Sequence, residues 1–168
     1  MRALTTTTKR TKRIIILGLA AFGLMAGVAV ATPGVGVSGL ITARGTIAEP
    51  FKVETDGLVE LKTKGPIDVV DQTITIQPGG HTGWHSHPGP ALATIKSGTL
   101  TLYDGDDPKC TPHVYNAGST FVDEGGGHVH IARNEGTSTP VEVSVTYLLP
   151  VGAGPRTDVT PAPGNCTF

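Results

Sequence analysis

The chain has few aromatic residues, few cysteines and, beyond its first residues, few basic residues. Of 168 residues, 5% are aromatic and two are Cys. Five of the 13 Lys and Arg lie within residues 1–13, which leaves eight against all 14 Asp and Glu, a net charge of about −6 for the remainder. A domain this acidic lacks the basic surface that nucleic acids require, so nucleic acid is excluded as a partner.

The residues beyond 31 also lack the spacing of apolar residues that produces an amphipathic helix. Short runs of β-branched and alternating residues stand there instead, separated by Gly and Pro, as at Pro78-Gly79-Gly80 and Gly125-Gly126-Gly127. Eight short strands at regular spacing favour an all-β sandwich or barrel. The predicted strands are 58–62, 68–77, 91–96, 99–103, 113–116, 119–122, 128–133 and 142–149.

The N-terminal segment has the three-part layout of a secretory signal peptide. Residues 1–13 are basic, residues 14–30 carry no charge, and Ala29-Val30-Ala31 offers small residues for cleavage. The sequence predicts a signal peptide at 1–31, with a retained signal anchor as the alternative, because 17 apolar residues are near the minimum for a membrane span. Either outcome predicts a secreted or cell-surface domain, and only the anchor predicts contact with a membrane.

The remainder divides into three parts. Residues 32–57 are predicted to form a linker and N-terminal strands, residues 58–150 the barrel, and residues 151–168 an extended tail. Residues 32–40 are rich in Gly and Val and are interpreted as linker. Cys110 and Cys166 are expected to form a disulfide in an oxidising compartment, although free thiols or a metal ligand are the alternatives. The bridge would close a loop of more than 50 residues and contribute on the order of 4 kcal/mol.

Five of the six histidines fall into two clusters, His81 with His85 and His87, and His128 with His130. Side chains at i and i+2 of a strand point to the same face, so each His-x-His pair projects two imidazoles together. Two such strands inside a barrel can present three imidazoles to one ion, and neutral imidazole suits Fe, Cu, Zn, Ni and, less strongly, Mn. The alternative is surface histidines that aid solubility.

With their flanking glycines, the two clusters resemble the two motifs of the cupin family over about residues 68–150. Matching positions of the first motif are Gly79, His85, His87 and Gly98, and those of the second are Gly118, Gly127, His130 and Asn134. Ala91 stands where the first motif has Glu, and Gly125 stands where the second has Pro. The stretch between Gly118 and Gly125 is one residue longer than in the family motif.

The resemblance implies a single jelly-roll β-barrel after the signal helix, with a divalent metal (Fe, Mn, Cu, Ni or Zn) on His85, His87 and His130. Ala91 cannot supply the family's carboxylate ligand, so His81 and His128 are the candidates for an additional ligand. Asp123 and its neighbour Glu124 are expected to be solvated, with a general-base role as the alternative, and no catalytic acid or base is assigned.

The resemblance supports three functions, because one fold serves many activities. The first is a dioxygenase acting on a small aromatic or flavonoid-like molecule. The second is a non-catalytic cupin that binds a metal or a small ligand. The third is a structural domain whose histidines remain from a lost activity. Homodimerisation through barrel edges is expected by analogy with the family.

Overall fold

The computed structural model describes residues 33–168, and the predicted signal peptide at 1–31 lies outside them. The strands within this range are β1 Val35–Ile47, β2 Lys52–Thr55, β3 Val59–Lys62, β4 Ile67–His81, β5 His85–Ser86, β6 Ala91–Ser97, β7 Thr99–Asp104, β8 His113–Asn116, β9 Thr120–Asp123, β10 His130–Arg133, β11 Val141–Pro150 and β12 Thr157–Asp158. The all-β prediction is confirmed, and each of the eight predicted segments overlaps a strand. No helix in the described range is long and apolar enough to cross a membrane.

Strand β4 organises the large sheet. It pairs antiparallel with β1 along 67–81 and with β11 along 67–76. The hydrogen-bonded order is β12-β5-β10-β4-β11-β6-β9, with β7 added to β10 and β8 added to β7. The sheet curls into a nearly closed jelly-roll barrel, while β2 and β3 form a separate hairpin. This order places β5 and β10, which carry the two histidine motifs, side by side.

The core fills the inside of the barrel with alternate residues of its strands. In β11 the inward residues are buried and most of those between them are not, as the period of two requires. Strand β6 repeats the pattern with two small residues, Ala91 and Ala93, followed by Ile95. Small side chains at these two positions leave open space at one end of the barrel interior, where the histidines lie.

The prediction that residues 32–40 form a linker is wrong, because β1 begins at Val35. Its side chains are exposed on both faces, as Leu40 at 68% and Ile41 at 44% illustrate. A strand without a buried face shows no apolar alternation, so its pattern does not distinguish it from a linker. Backbone hydrogen bonds to β4 hold it in place, and these depend on tertiary pairing.

The C-terminal tail crosses the barrel mouth and is held at several points. The predicted disulfide between Cys110 and Cys166 is confirmed and joins residues 56 positions apart. Asn165 donates from Nδ2 to the backbone carbonyls of Asp104 and Asp107. Earlier in the tail, β12 pairs with β5. The tail is therefore part of the wall around the histidines.

Replacing Asn134 with alanine is expected to destabilise the barrel by about 1–3 kcal/mol, the usual cost of leaving buried polar groups unpaired. Asn134 is 2% exposed, donates from Nδ2 to the carbonyls of Ile76 and Thr139, and accepts from the N–H of Gly136. Chemical denaturation measures the change. Asn116→Ala, at an exposed asparagine, is the matched control and should change the free energy of unfolding by far less.

Candidate metal centre

Three buried imidazoles converge at one end of the barrel interior. His85 begins β5, and His87 is the first residue after that strand. His130 begins β10 and pairs with His85 across the ladder. Their ring centroids are 4.5 to 5.0 Å apart, and none of the three is more than 6% exposed. One ligand atom from each lies within 4.8 Å of the others. The structure therefore brings together the three histidines that the motifs indicated.

Backbone carbonyls orient two of the rings. With the proton on Nδ1, His85 donates to the carbonyl of Gly83 over 2.9 Å, and His87 donates to that of Pro155 over 2.5 Å. Each bond fixes the tautomer that leaves the lone pair on Nε2, the arrangement typical of metal-binding histidines. Pro155 belongs to the tail, so the tail orients one of the candidate ligands.

Burial favours the neutral form of these rings. It lowers the pKa of His85 well below its ordinary value, and the nearby His130, Arg156 and His87 lower it further. Burial also lowers the pKa of His87, against the opposing hydrogen bond to Pro155. Neutral imidazole is the metal-binding form, so both rings remain competent at pH values where free histidine is protonated.

Asp123 lies directly behind His130, and the expectation that it is solvated is wrong. It is 5% exposed, and its Oδ2 lies 3.1 Å from Nδ1 of His130 and 3.2 Å from Nδ1 of His128. Its Oδ1 accepts from the N–H of Gly125 over 2.8 Å. The contact with His130 is close but not aligned as a hydrogen bond, so Nδ1 of His130 is buried without a hydrogen-bond partner.

Asp123 stands opposite Ala91 in the ladder between β9 and β6. Ala91 is the position at which the family motif has Glu, and both residues line the interior cavity. The pocket therefore contains a carboxylate, carried by the neighbouring strand. The alternation of β9 contained a signal for this, because Phe121, two residues earlier, lines the same cavity and so shares the inward face.

The charge of Asp123 is stabilised where it lies. Burial raises its pKa, but the nearby rings of His130 and His128 and the N–H of Gly125 outweigh burial and hold the pKa below its usual range. The carboxylate is therefore ionised at neutral pH and places one negative charge beside His130, close to the neutral imidazoles of His85 and His87. Stabilisation of the ionised form makes Asp123 a weaker proton acceptor than a free carboxylate.

Gly125 permits the close approach of the two loops that flank the site. Its φ is +68°, and a Cβ there would lie 2.2 Å from the carbonyl carbon of Gly89. The N–H of Gly127 donates to the carbonyl of His87 over 3.3 Å. Glycine in place of the motif's proline therefore allows the loop after β9 to pack against the loop after β5.

The structure places the two additional candidate ligands outside the three-histidine group. The Nδ1 of His81 accepts a hydrogen bond from the N–H of Gly83. His81 is the last residue of β4, where it pairs with Arg133 of β10. His128 precedes β10 and lies in a charge network in which its Nε2 is 3.6 Å from Asp104. Asp123, His128 and His130 also form a compact group, but the first two already pair with each other.

Two cavities adjoin the candidate ligands. The interior cavity has a volume of about 50 Å³ and is lined by the three histidines, Asp123, Tyr147 and mainly aliphatic side chains. The outer cavity has a volume of about 310 Å³, lies between β1 and the tail, and also reaches His85 and His87. The hydroxyl of Tyr147 donates to Oε1 of Gln72, and burial raises the pKa of Tyr147 above its usual range.

Comparison with known proteins gives one family match. The model of the cupin domain matches residues 72–147, which include both histidine motifs. No curated protein matches the chain.

Similar solved structures come from several bacteria. A cupin-2 domain from Rhodospirillum rubrum is 13% identical, with a TM-score of 0.51 over 78% of this chain and 70% of that one. A cupin domain from Bordetella pertussis is 17% identical, with a TM-score of 0.46 over 71% and 97%. A protein of unknown function from Streptococcus pyogenes is 21% identical, with a TM-score of 0.41 over 49% and 65%. At these identities, the Rhodospirillum structure supports the fold alone.

Proposed function

The chain belongs to the cupin superfamily, and from that premise we propose that its barrel binds one divalent metal ion through His85, His87 and His130. The observation that carries the proposal is the convergence of three buried imidazoles, two of them with Nδ1 fixed on backbone carbonyls. Burying three histidines near one another is unfavourable without a shared ligand or hydrogen-bond partners. A metal ion would use the nitrogens that face one another.

The donor set indicates the kind of metal. Imidazole nitrogen is a good ligand for Fe, Cu, Ni and Zn, a weaker one for Mn, and a poor one for Mg and Ca, which prefer oxygen. Three protein ligands leave at least one coordination position for water or substrate. Asp123 would offset part of the ion's charge from behind His130, because its Oδ2 lies 3.1 Å from Nδ1 of that ring.

Oxidation of a small molecule by O₂ is the activity we propose for the loaded site, with ligand binding without turnover as the alternative. The bound metal would supply the redox chemistry. The aliphatic walls of the interior cavity would exclude water, and Tyr147 would stay protonated beside Gln72. A cavity of about 50 Å³ favours compact substrates over flavonoid-sized ones. Oxygen consumption with catechols, flavonols and small acids tests the activity. If fully loaded protein turns over none of them, oxidation is refuted and ligand binding without turnover is favoured.

Metal analysis of the purified protein tests metal binding. Wild-type protein reloaded with Fe²⁺, Mn²⁺, Ni²⁺, Cu²⁺ or Zn²⁺ should retain about one equivalent of at least one of them. His85→Ala should retain only a trace, whereas His113→Ala, at an exposed histidine of β8, should behave like wild type. Wild-type protein with no metal above trace, or a His85→Ala variant that binds normally, would refute the proposal.

Replacing Asp123 with asparagine should weaken metal binding roughly 10- to 100-fold, the range expected for an outer carboxylate behind a ligating histidine. Asparagine keeps the shape of the side chain but removes the charge that faces His130. Equilibrium dialysis against a competing chelator measures the change. Glu124→Gln, next along the chain, is the charge-matched control and should leave the affinity unchanged. Equal affinities for wild type and Asp123→Asn would assign Asp123 a purely structural role.

We further propose that the protein acts outside the cytoplasm on a small-molecule ligand. The disulfide between Cys110 and Cys166 supports an oxidising compartment, because such bridges are rare in the cytosol. N-terminal sequencing of exported protein should begin near Thr32, and an intact Met1 would indicate an anchored form. Homodimerisation through barrel edges stays a prediction.

A further inference from the structure

The outer cavity is a second space beside the candidate ligands, and the metal proposal does not use it. It has a volume of about 310 Å³ and is walled by the start of β1, by β4 and by the tail. His85, His87 and Tyr147 line both this cavity and the interior one. A molecule in the outer cavity would therefore contact the rings that hold the metal.

The tail places Arg156 on the wall of this cavity. In the ladder between β12 and β5, Thr157 pairs with Ser86 and Asp158 pairs with His85. The same antiparallel register puts Arg156 opposite His87, whose Nδ1 donates to the preceding carbonyl, that of Pro155. Residues at i and i+2 of a strand share a face, so Arg156 and Asp158 lie on one side of the tail. Both line the cavity.

The guanidinium of Arg156 is only partly engaged. Its Nε donates to Oδ1 of Asp158 over 2.5 Å, and neither Nη group has a hydrogen bond within the described range. The positive charge also contributes to the lowered pKa values of His85 and His87, in keeping with its position beside them. The wall of the cavity thus carries a guanidinium whose Nη groups are available as donors. Gln72 adds a second polar side chain to the lining.

We propose that the outer cavity binds a small molecule bearing a carboxylate, which the Nη groups of Arg156 hold beside His85 and His87. The proposal rests on the metal-binding function for its context, since the carboxylate would lie next to the ion. A planar guanidinium fork matches the two oxygens of a carboxylate. The volume lies at the lower end of ligand pockets, about 300–1,000 Å³, which fits a small acid.

Asp158 limits the charge that the ligand can carry. Its carboxylate neutralises part of Arg156 and lies on the same wall, so a phosphate dianion would meet a like charge there. A monoanion needs only the single guanidinium. The arrangement therefore favours a monocarboxylate over phosphate or sulfate.

Calorimetric titration of the protein, both metal-loaded and metal-free, tests the proposal with acetate and glycolate as probes and acetamide and glycolamide as neutral counterparts. We expect the acids to bind and the amides to bind at least tenfold more weakly. Arg156→Gln should weaken acid binding at least tenfold, and Arg156→Lys should recover only part of the loss, because lysine lacks the planar fork. Lys96→Gln, at an exposed lysine of β6, is the charge-matched control and should bind as wild type does.

The two proposals fail separately in this experiment. Acid binding by metal-free protein that depends on Arg156 would support the anion site even if no metal binds. Metal binding with no acid binding, or with equal binding by wild type and Arg156→Gln, would overturn the anion site alone. Tighter binding of phosphate than of acetate, or acetamide binding as tight as acetate binding, would also overturn it. The free energy of unfolding of metal-free Arg156→Gln should be close to that of wild type, which shows that the barrel is intact.

Discussion

Replacement of His87 by alanine should lower the affinity for Zn²⁺ or Ni²⁺ by more than the roughly 10- to 100-fold that loss of an outer-shell partner costs. His87 is one of three converging imidazoles, and its Nδ1 is fixed by the carbonyl of Pro155. The described residues offer no replacement ligand on its side of the group, because His81 and His128 are engaged elsewhere. Two remaining imidazoles would hold the ion far more weakly.

The measurement is competition with a chelator of known affinity, monitored for the wild type, His87→Ala and His113→Ala. The free energy of unfolding of each metal-free protein is measured in parallel, which separates loss of a ligand from loss of the fold. A His87→Ala protein that folds and binds metal with unchanged affinity would contradict the assignment. Equal losses in His87→Ala and His113→Ala would point instead to the charge network around Asp104.

Removal of the disulfide is expected to have the largest effect on stability. Cys110 and Cys166 are 56 positions apart, and closing a loop of that length contributes about 4 kcal/mol in the chain-entropy model. The double variant Cys110→Ser/Cys166→Ser should therefore unfold at a midpoint lower by on the order of 10 °C. The double substitution avoids leaving a reactive thiol.

Thermal and denaturant unfolding of the double variant, of wild type and of chemically reduced wild type provide the test. The reduced wild type should match the double variant, which shows that the bond, and not the serine side chains, is responsible. The tail would still pair with β5 through Thr157 and Asp158, so metal binding should change less than stability does. A double variant with the midpoint of the oxidised wild type would show that the bridge contributes nothing to folding.

The sequence predicted the barrel because its core strands alternate strictly. Strands such as β6 and β11 bury every second residue, and that period is directly visible in the amino-acid order. The convergence of His85, His87 and His130 was predictable because both pairs sit beside glycine-rich turns and match a known motif. Strand β1 was not predictable, because both of its faces are exposed and its sequence shows no apolar alternation. Only its pairing with β4 defines it.

The residues around the three histidines were harder to predict than the histidines. In the sequence, Asp123 and Glu124 precede three glycines, which resembles an exposed turn, whereas in the structure Asp123 ends β9 and its side chain is buried. Arg156 lies in a segment rich in Pro and Gly, and its position depends on β12 pairing with a two-residue strand more than 60 positions away. The position of Arg156 therefore depends on the closed barrel, and no local pattern records it.

Crystallographic anomalous scattering from protein loaded with Zn²⁺ or Ni²⁺ would locate the bound metal ion. We expect one strong peak in the interior cavity, at about 2.0–2.2 Å from one nitrogen of each of His85, His87 and His130. The His87→Ala protein, loaded in the same way, should lack it. No peak among the three rings of the wild-type protein, or a peak only at Asp104 and His113, would show that these three histidines do not form the metal site.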